Sequence, residues 1–118
     1  MKPASRLAAL ALLATVLAGC ARGYSVKVTN LTDQPVTARI LERDDGEDRT
    51  KVSRYIGPQD HHTLQADAKF GRRVWLPVDV AGNSRGPEEL PLTTGLTVVN
   101  VRRTDEGGRG RIELQEVP

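Results

Sequence analysis

The chain has 118 residues, enough for one domain and too few for two, and its single cysteine, Cys20, excludes an internal disulfide. Seventeen basic residues against fifteen acidic ones leave a net charge of only +2. Lys2 and Arg6 supply that whole excess, so from Cys20 onward the two signs balance. This excludes the net basic footprint that nucleic-acid binding by counterion release requires.

Residues 1–19 fall into three parts: the basic pair Lys2 and Arg6, an apolar run from Leu7 to Leu17, and the small pair Ala18 and Gly19. That is the layout of a secretory signal. The uncharged stretch between Arg6 and Arg22 spans 15 residues, short of the roughly 20 that a membrane-crossing helix needs. Leu17-Ala18-Gly19-Cys20 resembles the lipobox of bacterial lipoproteins, a resemblance confined to about the first 20 residues. It implies cleavage between Gly19 and Cys20 and attachment of acyl chains, palmitate among them, to Cys20 as the first mature residue. A thiolate is the nucleophile suited to accept a diacylglyceryl group, and two or more acyl chains anchor stably where one does not. In this family an aspartate just after the cysteine favours retention in the inner membrane. Ala21 lacks that signal, so the resemblance implies the periplasmic face of the outer membrane. The expected organisation is a signal peptide over 1–19, a lipidated cysteine and short tether over 20–23, and one domain over 24–118.

Within that domain the apolar pattern has period two. Tyr24, Val26 and Val28 alternate with polar residues, and a second strand follows the polar turn 30–35 with Val36, Ala38 and Ile40 on one face. Asp45-Gly46, set in the acidic run 44–48, marks a hairpin, and a third strand is expected over 50–56. Gly57-Pro58 breaks it. Residues 61–66 form a weaker strand or a short helical turn. Val74, Leu76, Val78 and Val80 define the next strand, and 81–89 reads as a long polar loop. The run 96–101 is apolar on both faces for part of its length and is expected to be central. A glycine-rich hairpin at 104–110 leads to a last strand over 111–117. The fold class is therefore all-β, a small antiparallel β-sandwich of about seven strands, immunoglobulin-like or transthyretin-like.

No catalytic constellation stands out. A nucleophile elbow is absent, the cysteine is committed to lipid, and Gly107-Gly108-Arg109-Gly110 lies in a hairpin rather than before a helix. The domain thus reads as a non-enzymatic binding or structural module without a cofactor. Its expected partners are the membrane, through the anchor, and an envelope protein or cell-wall component. An alternative is a small-ligand or metal-binding protein using His61 and His62, although adjacent strand residues point to opposite faces. The acidic run 44–48 lacks the ligand spacing of a calcium loop and reads as a solvated turn. Asn30-Leu31-Thr32 matches a glycosylation sequon but sits where a turn is expected.

Trp75 and Pro77 lie opposite the apolar face of their strand. A proline there marks an edge or a bulge, which makes the pair a candidate partner contact, with Trp75 covering a second apolar face as the other reading. If consecutive strands alternate in direction, the start of the first strand shares an end with the acidic hairpin, the 69–73 connection and the 104–110 hairpin. Arg22, Arg72, Arg73, Arg109 and Arg111 would then face lipid head groups. An extra short strand near residues 90–92 would reverse that parity.

Overall fold

The computed structural model of the chain describes residues 21–69, 71–80, 86–104 and 111–118. Eight strands occur among them: β1 (Ala21–Asn30), β2 (Val36–Asp44), β3 (Glu47–Ile56), β4 (His61–Lys69), β5 (Arg73–Val80), β6 (Glu88–Pro91), β7 (Gly95–Arg103) and β8 (Ile112–Val117). They form two four-stranded sheets, ordered β4-β1-β7-β8 and β3-β2-β5-β6. The all-β sandwich read from the sequence is thus the fold of the described residues.

The core follows from the period-two pattern. Val26 and Val28 of β1, Ile40 of β2, Leu64 of β4, Leu76 and Val78 of β5, and Val99 and Val101 of β7 point between the sheets and are essentially excluded from solvent. Each fully buried aliphatic side chain of this size contributes about 1.5–3 kcal/mol of transfer free energy. On the opposite face of β1, Lys27 is exposed and Ser25 and Thr29 are half-buried, as an antiparallel-type sheet with one wet face requires. The Asp45-Gly46 turn has positive φ at both residues (46° and 86°), the geometry of a two-residue hairpin whose twist matches the flanking strands.

Four features depart from the sequence reading. There are eight strands rather than seven, because β6 pairs with β5 at the end of the stretch expected to be loop. One strand pair, β1 with β7, is parallel. These two departures have one cause: when each strand reverses the last, β6 makes β7 the seventh strand, which therefore runs in the direction of β1. Residues 61–69 form a full strand, with no helical turn. Finally, Ala21, Arg22 and Gly23, expected as tether, already pair with Lys69, Ala68 and Asp67 of β4. In the immunoglobulin sandwich the first strand sits beside the second in the ABED sheet. Here β1 is interior, between β4 and β7, which is not the immunoglobulin order.

The strand directions define two ends. At the entry end lie the start of β1, the Asp45-Gly46 turn, the start of β5, the end of β6 and the end of β8. The far end carries the 31–35 turn, the 57–60 turn and the Arg103–Ile112 pair.

Asn30 organises the far end. It is fully buried, and its Nδ2 donates toward the carbonyl oxygens of Gln34, Ile56 and Gly57 at 2.7, 3.2 and 3.1 Å. Its Oδ1 accepts from the Thr32 backbone N–H at 3.0 Å and lies 2.7 Å from the Thr32 hydroxyl. One side chain therefore ties β1, the β1–β2 turn and the end of β3 together. The Asn30-Leu31-Thr32 triplet is accordingly a turn, with its amide closed to modification. Replacing Asn30 by Ala leaves buried carbonyls and an N–H without partners and should cost about 3 kcal/mol, read as a lowered urea midpoint. Asn30→Asp should fare no better despite its similar shape, because it aims an oxygen at carbonyl oxygens.

Candidate functional site

The outward face of β5 holds the feature with the most chemistry. Strand register places Leu41 of β2, Trp75 of β5 and Pro91 of β6 in one cross-strand row. Thr50 of β3 continues it beyond Leu41. The next row toward the far end contains Arg39, Pro77 and Glu89, since Arg39 is the β2 residue opposite Pro77. The row toward the entry end contains Asp48, Arg43 and Arg73.

Pro77 has no N–H to donate, and the bridging of β2 to β5 skips the residues opposite Leu76 and Pro77 before resuming at Leu41–Trp75. On the other side of β2 the pairing with β3 shifts register at the same point, between Ile40 and Leu41. So the proline marks an irregularity, as its residue type implies, but β5 is an interior strand and not an edge. Pro77 is itself fully buried, which removes it as a partner contact.

Trp75 is half-buried rather than a free surface. The Arg43 guanidinium lies over its ring, 5.3 Å from the centroid, at the diagonal cross-strand position. That guanidinium is held in turn by two carboxylates. Arg43 Nε donates to Asp48 Oδ1 at 2.8 Å, and Nη2 lies 3.3 Å from Glu89 Oε1. The hydrogen bond from Arg43 holds the Asp48 carboxyl below its ordinary value, and Asp48 and then Glu89 push the Arg43 pKa up. The arrangement is a clamp from β2, fixed at β3 and β6, that covers an apolar spot made by Leu41, Trp75 and Pro91. The Trp75 indole Nε1 is buried and finds no hydrogen-bond acceptor among the described residues.

The sequence reading missed Arg43, although half the signal was there. A two-residue turn at Asp45-Gly46 sets Arg43 opposite Asp48, so this ion pair follows from hairpin register. Glu89 was not placed, because the extra short strand weighed in the sequence lay near residues 90–92, short of it. Also missed was Glu42, an acid on the inward side of β2 that is 4% exposed. Its Oε2 makes no hydrogen bond among the described residues and lies 3.9 Å from Lys51 Nζ.

The remaining sequence candidates are scattered. His61 and His62 occupy successive positions of β4, opposite Thr29 and Val28 of β1, and so project to opposite faces. Asp60 Oδ1 accepts the His61 backbone N–H at 2.8 Å, and its other oxygen lies 3.8 Å from His62 Nε2. Among the described residues no group of three or more His, Cys, Asp or Glu gathers as a metal site. Arg72 and Arg73 stand at the entry end, where Arg72 pairs with Asp44. Arg111 stands at the far end, its carbonyl accepting from Thr104 N–H at 2.8 Å. It also lines a cleft of about 310 Å³ with Glu88, Glu89 and Glu113. This corrects the expected grouping of Arg111 with Arg72 and Arg73, and the cause is the parity change introduced by β6. Arg22 lies on β1 opposite Ala68. Gly19, Cys20 and Arg109 lie outside the described residues.

Matched against protein-family models the chain finds no counterpart, and against curated proteins it finds none.

Two outcomes follow from this geometry. Asp48 is stabilised in its charged form by folding, so the stability it contributes is complete above the ordinary aspartate pKa near 3.8 and is lost as pH falls below it toward the depressed folded value. Urea midpoints measured across that range should decline, and Arg43→Met should flatten this part of the decline. Calorimetric titration with zinc, copper and calcium should give no binding heat. A submicromolar metal site abolished by His61→Ala would instead favour the metal-binding reading.

Proposed function

We propose that the chain is a lipid-anchored protein of the bacterial cell envelope whose sandwich is a non-catalytic binding or structural module. The anchor is Cys20, exposed as the first mature residue by cleavage after Gly19, and the favoured location is the periplasmic face of the outer membrane. The observation that carries the reading is the sequence of residues 1–20, with its basic start, its apolar run too short to span a bilayer, and Leu17-Ala18-Gly19-Cys20 at the end.

The start of β1 at Ala21 is in keeping with it. If the acylated residue is followed directly by a paired strand, the membrane holds the entry end of the sandwich close and the far end points away. Partners from the envelope or cell wall would then meet the 31–35 and 57–60 turns. Those turns are braced by Asn30 and by the hydrogen bond from Gln59 Nε2 to Thr32 O at 3.1 Å, so they form a rigid presenting surface.

Expression of Cys20→Ala tests the anchor. Labelled palmitate should be incorporated into the wild-type chain and not into the variant, and the variant should accumulate unprocessed. A variant that is cleaved, and that fractionates with membranes as the wild type does, would reject the reading.

A further inference from the structure

We propose that the cleft between β5 and β6 at the entry end, lined by Arg73, Trp75 and Pro91, binds the phosphate of an anionic phospholipid head group. This rests on the lipid-anchored reading and gives that anchor a second, specific point of contact.

The cleft has a volume of about 390 Å³, and its lining joins two chemistries, the guanidinium-bearing Arg72 and Arg73 and the apolar Val74, Trp75, Pro91 and Leu92. Its position is set by the backbone. The Arg72 N–H donates to Lys69 O at 3.2 Å, and Lys69 pairs with Ala21, the first residue of β1. A bilayer that holds Cys20 is therefore within a few residues of the cleft.

The charges around it are unequal. Arg43 and Arg73 face each other directly across β2 and β5, a like-charge pairing that disfavours the sheet unless other groups neutralise it. Arg43 is neutralised by Asp48 and Glu89, and Arg72 by Asp44. Arg73 has no carboxylate within ion-pair distance among the described residues, and it is exposed. An anion at Arg73 would complete the row. At the far end Arg103 Nη1 lies 3.5 Å from Asp33 Oδ1, and Arg111 shares its cleft with three glutamates.

The apolar side selects among anions. A fully hydrated phosphate has no use for Trp75, Pro91 and Leu92, whereas a head group at the boundary of the acyl region brings both a phosphate and apolar surface. Tryptophan is enriched at that boundary because its ring is amphipathic.

Trp75 is the only tryptophan of the chain, so its emission reports on this cleft alone. The full chain is mixed with phosphatidylcholine vesicles with or without phosphatidylglycerol, the lipids carrying brominated acyl chains in a parallel set. Anionic vesicles should shift Trp75 emission to the blue and brominated ones should quench it, while pure phosphatidylcholine does neither. Arg73→Ala should weaken the response about fivefold, the change that one arginine near an anionic surface implies. Arg73→Lys should retain most of it, and Arg111→Ala should leave it unchanged. Circular dichroism checks that the variants fold.

If glycerol phosphate without vesicles gives the same saturable change, the ligand is a soluble phosphate and the head-group assignment is overturned. Cys20 acylation is read by mass on the same preparation. An acylated chain whose Trp75 ignores anionic lipid overturns the cleft and leaves the anchor standing. An unacylated chain whose Trp75 responds through Arg73 overturns the anchor and leaves the cleft.

Discussion

The buried amide of Asn30 sets the terms for the far half of this sandwich. A strand in the middle of one sheet must hand the chain to the other sheet within five residues, and the backbone groups exposed by that crossing have to find partners in a dry place. Asn30 supplies donors and acceptors at once, to Gln34, Ile56, Gly57 and Thr32. Its own backbone N–H meanwhile donates to Asp60 O at 2.8 Å, and that of Leu31 to Val101 O at 2.9 Å. Two turns and three strands are thereby locked to one another without a covalent staple.

At the entry end the same task falls to charge instead of a neutral amide. Arg43 covers Trp75 and ties β2 to β3 and β6, and Arg72 ties the start of β5 to Asp44. These contacts are half-exposed and depend on ionised carboxylates, so they respond to pH and salt where the neutral amide of Asn30 does not.

Most of the fold was legible because alternation is a local property. The inward residues of β1, β2 and β5 follow from period-two spacing alone, and the Asp45-Gly46 turn follows from the dipeptide. Pro77 was legible as a disturbance but not as a buried one. A proline interrupts the ladder wherever it sits, and whether the strand is interior or at an edge depends on a neighbour more than ten residues away. β6 was legible only as an extra short strand weighed near residues 90–92, for a related reason. Glu88-Glu89-Leu90-Pro91 carries no strand signal of its own and is ordered by pairing with β5.

That four-residue strand shows where local and global information part. The sequence by itself determined the strand faces, the hairpin and the apolar core, because each depends on neighbours a few positions apart. Tertiary structure decided the direction of β7, the end to which Arg111 belongs, and the meeting of Arg43 with Glu89, 46 residues apart in the chain. It also gathered Arg73, Trp75 and Pro91 into one cleft. Direction and proximity across a sandwich depend on how many times the chain has crossed it, and one short strand changes that count for everything that follows.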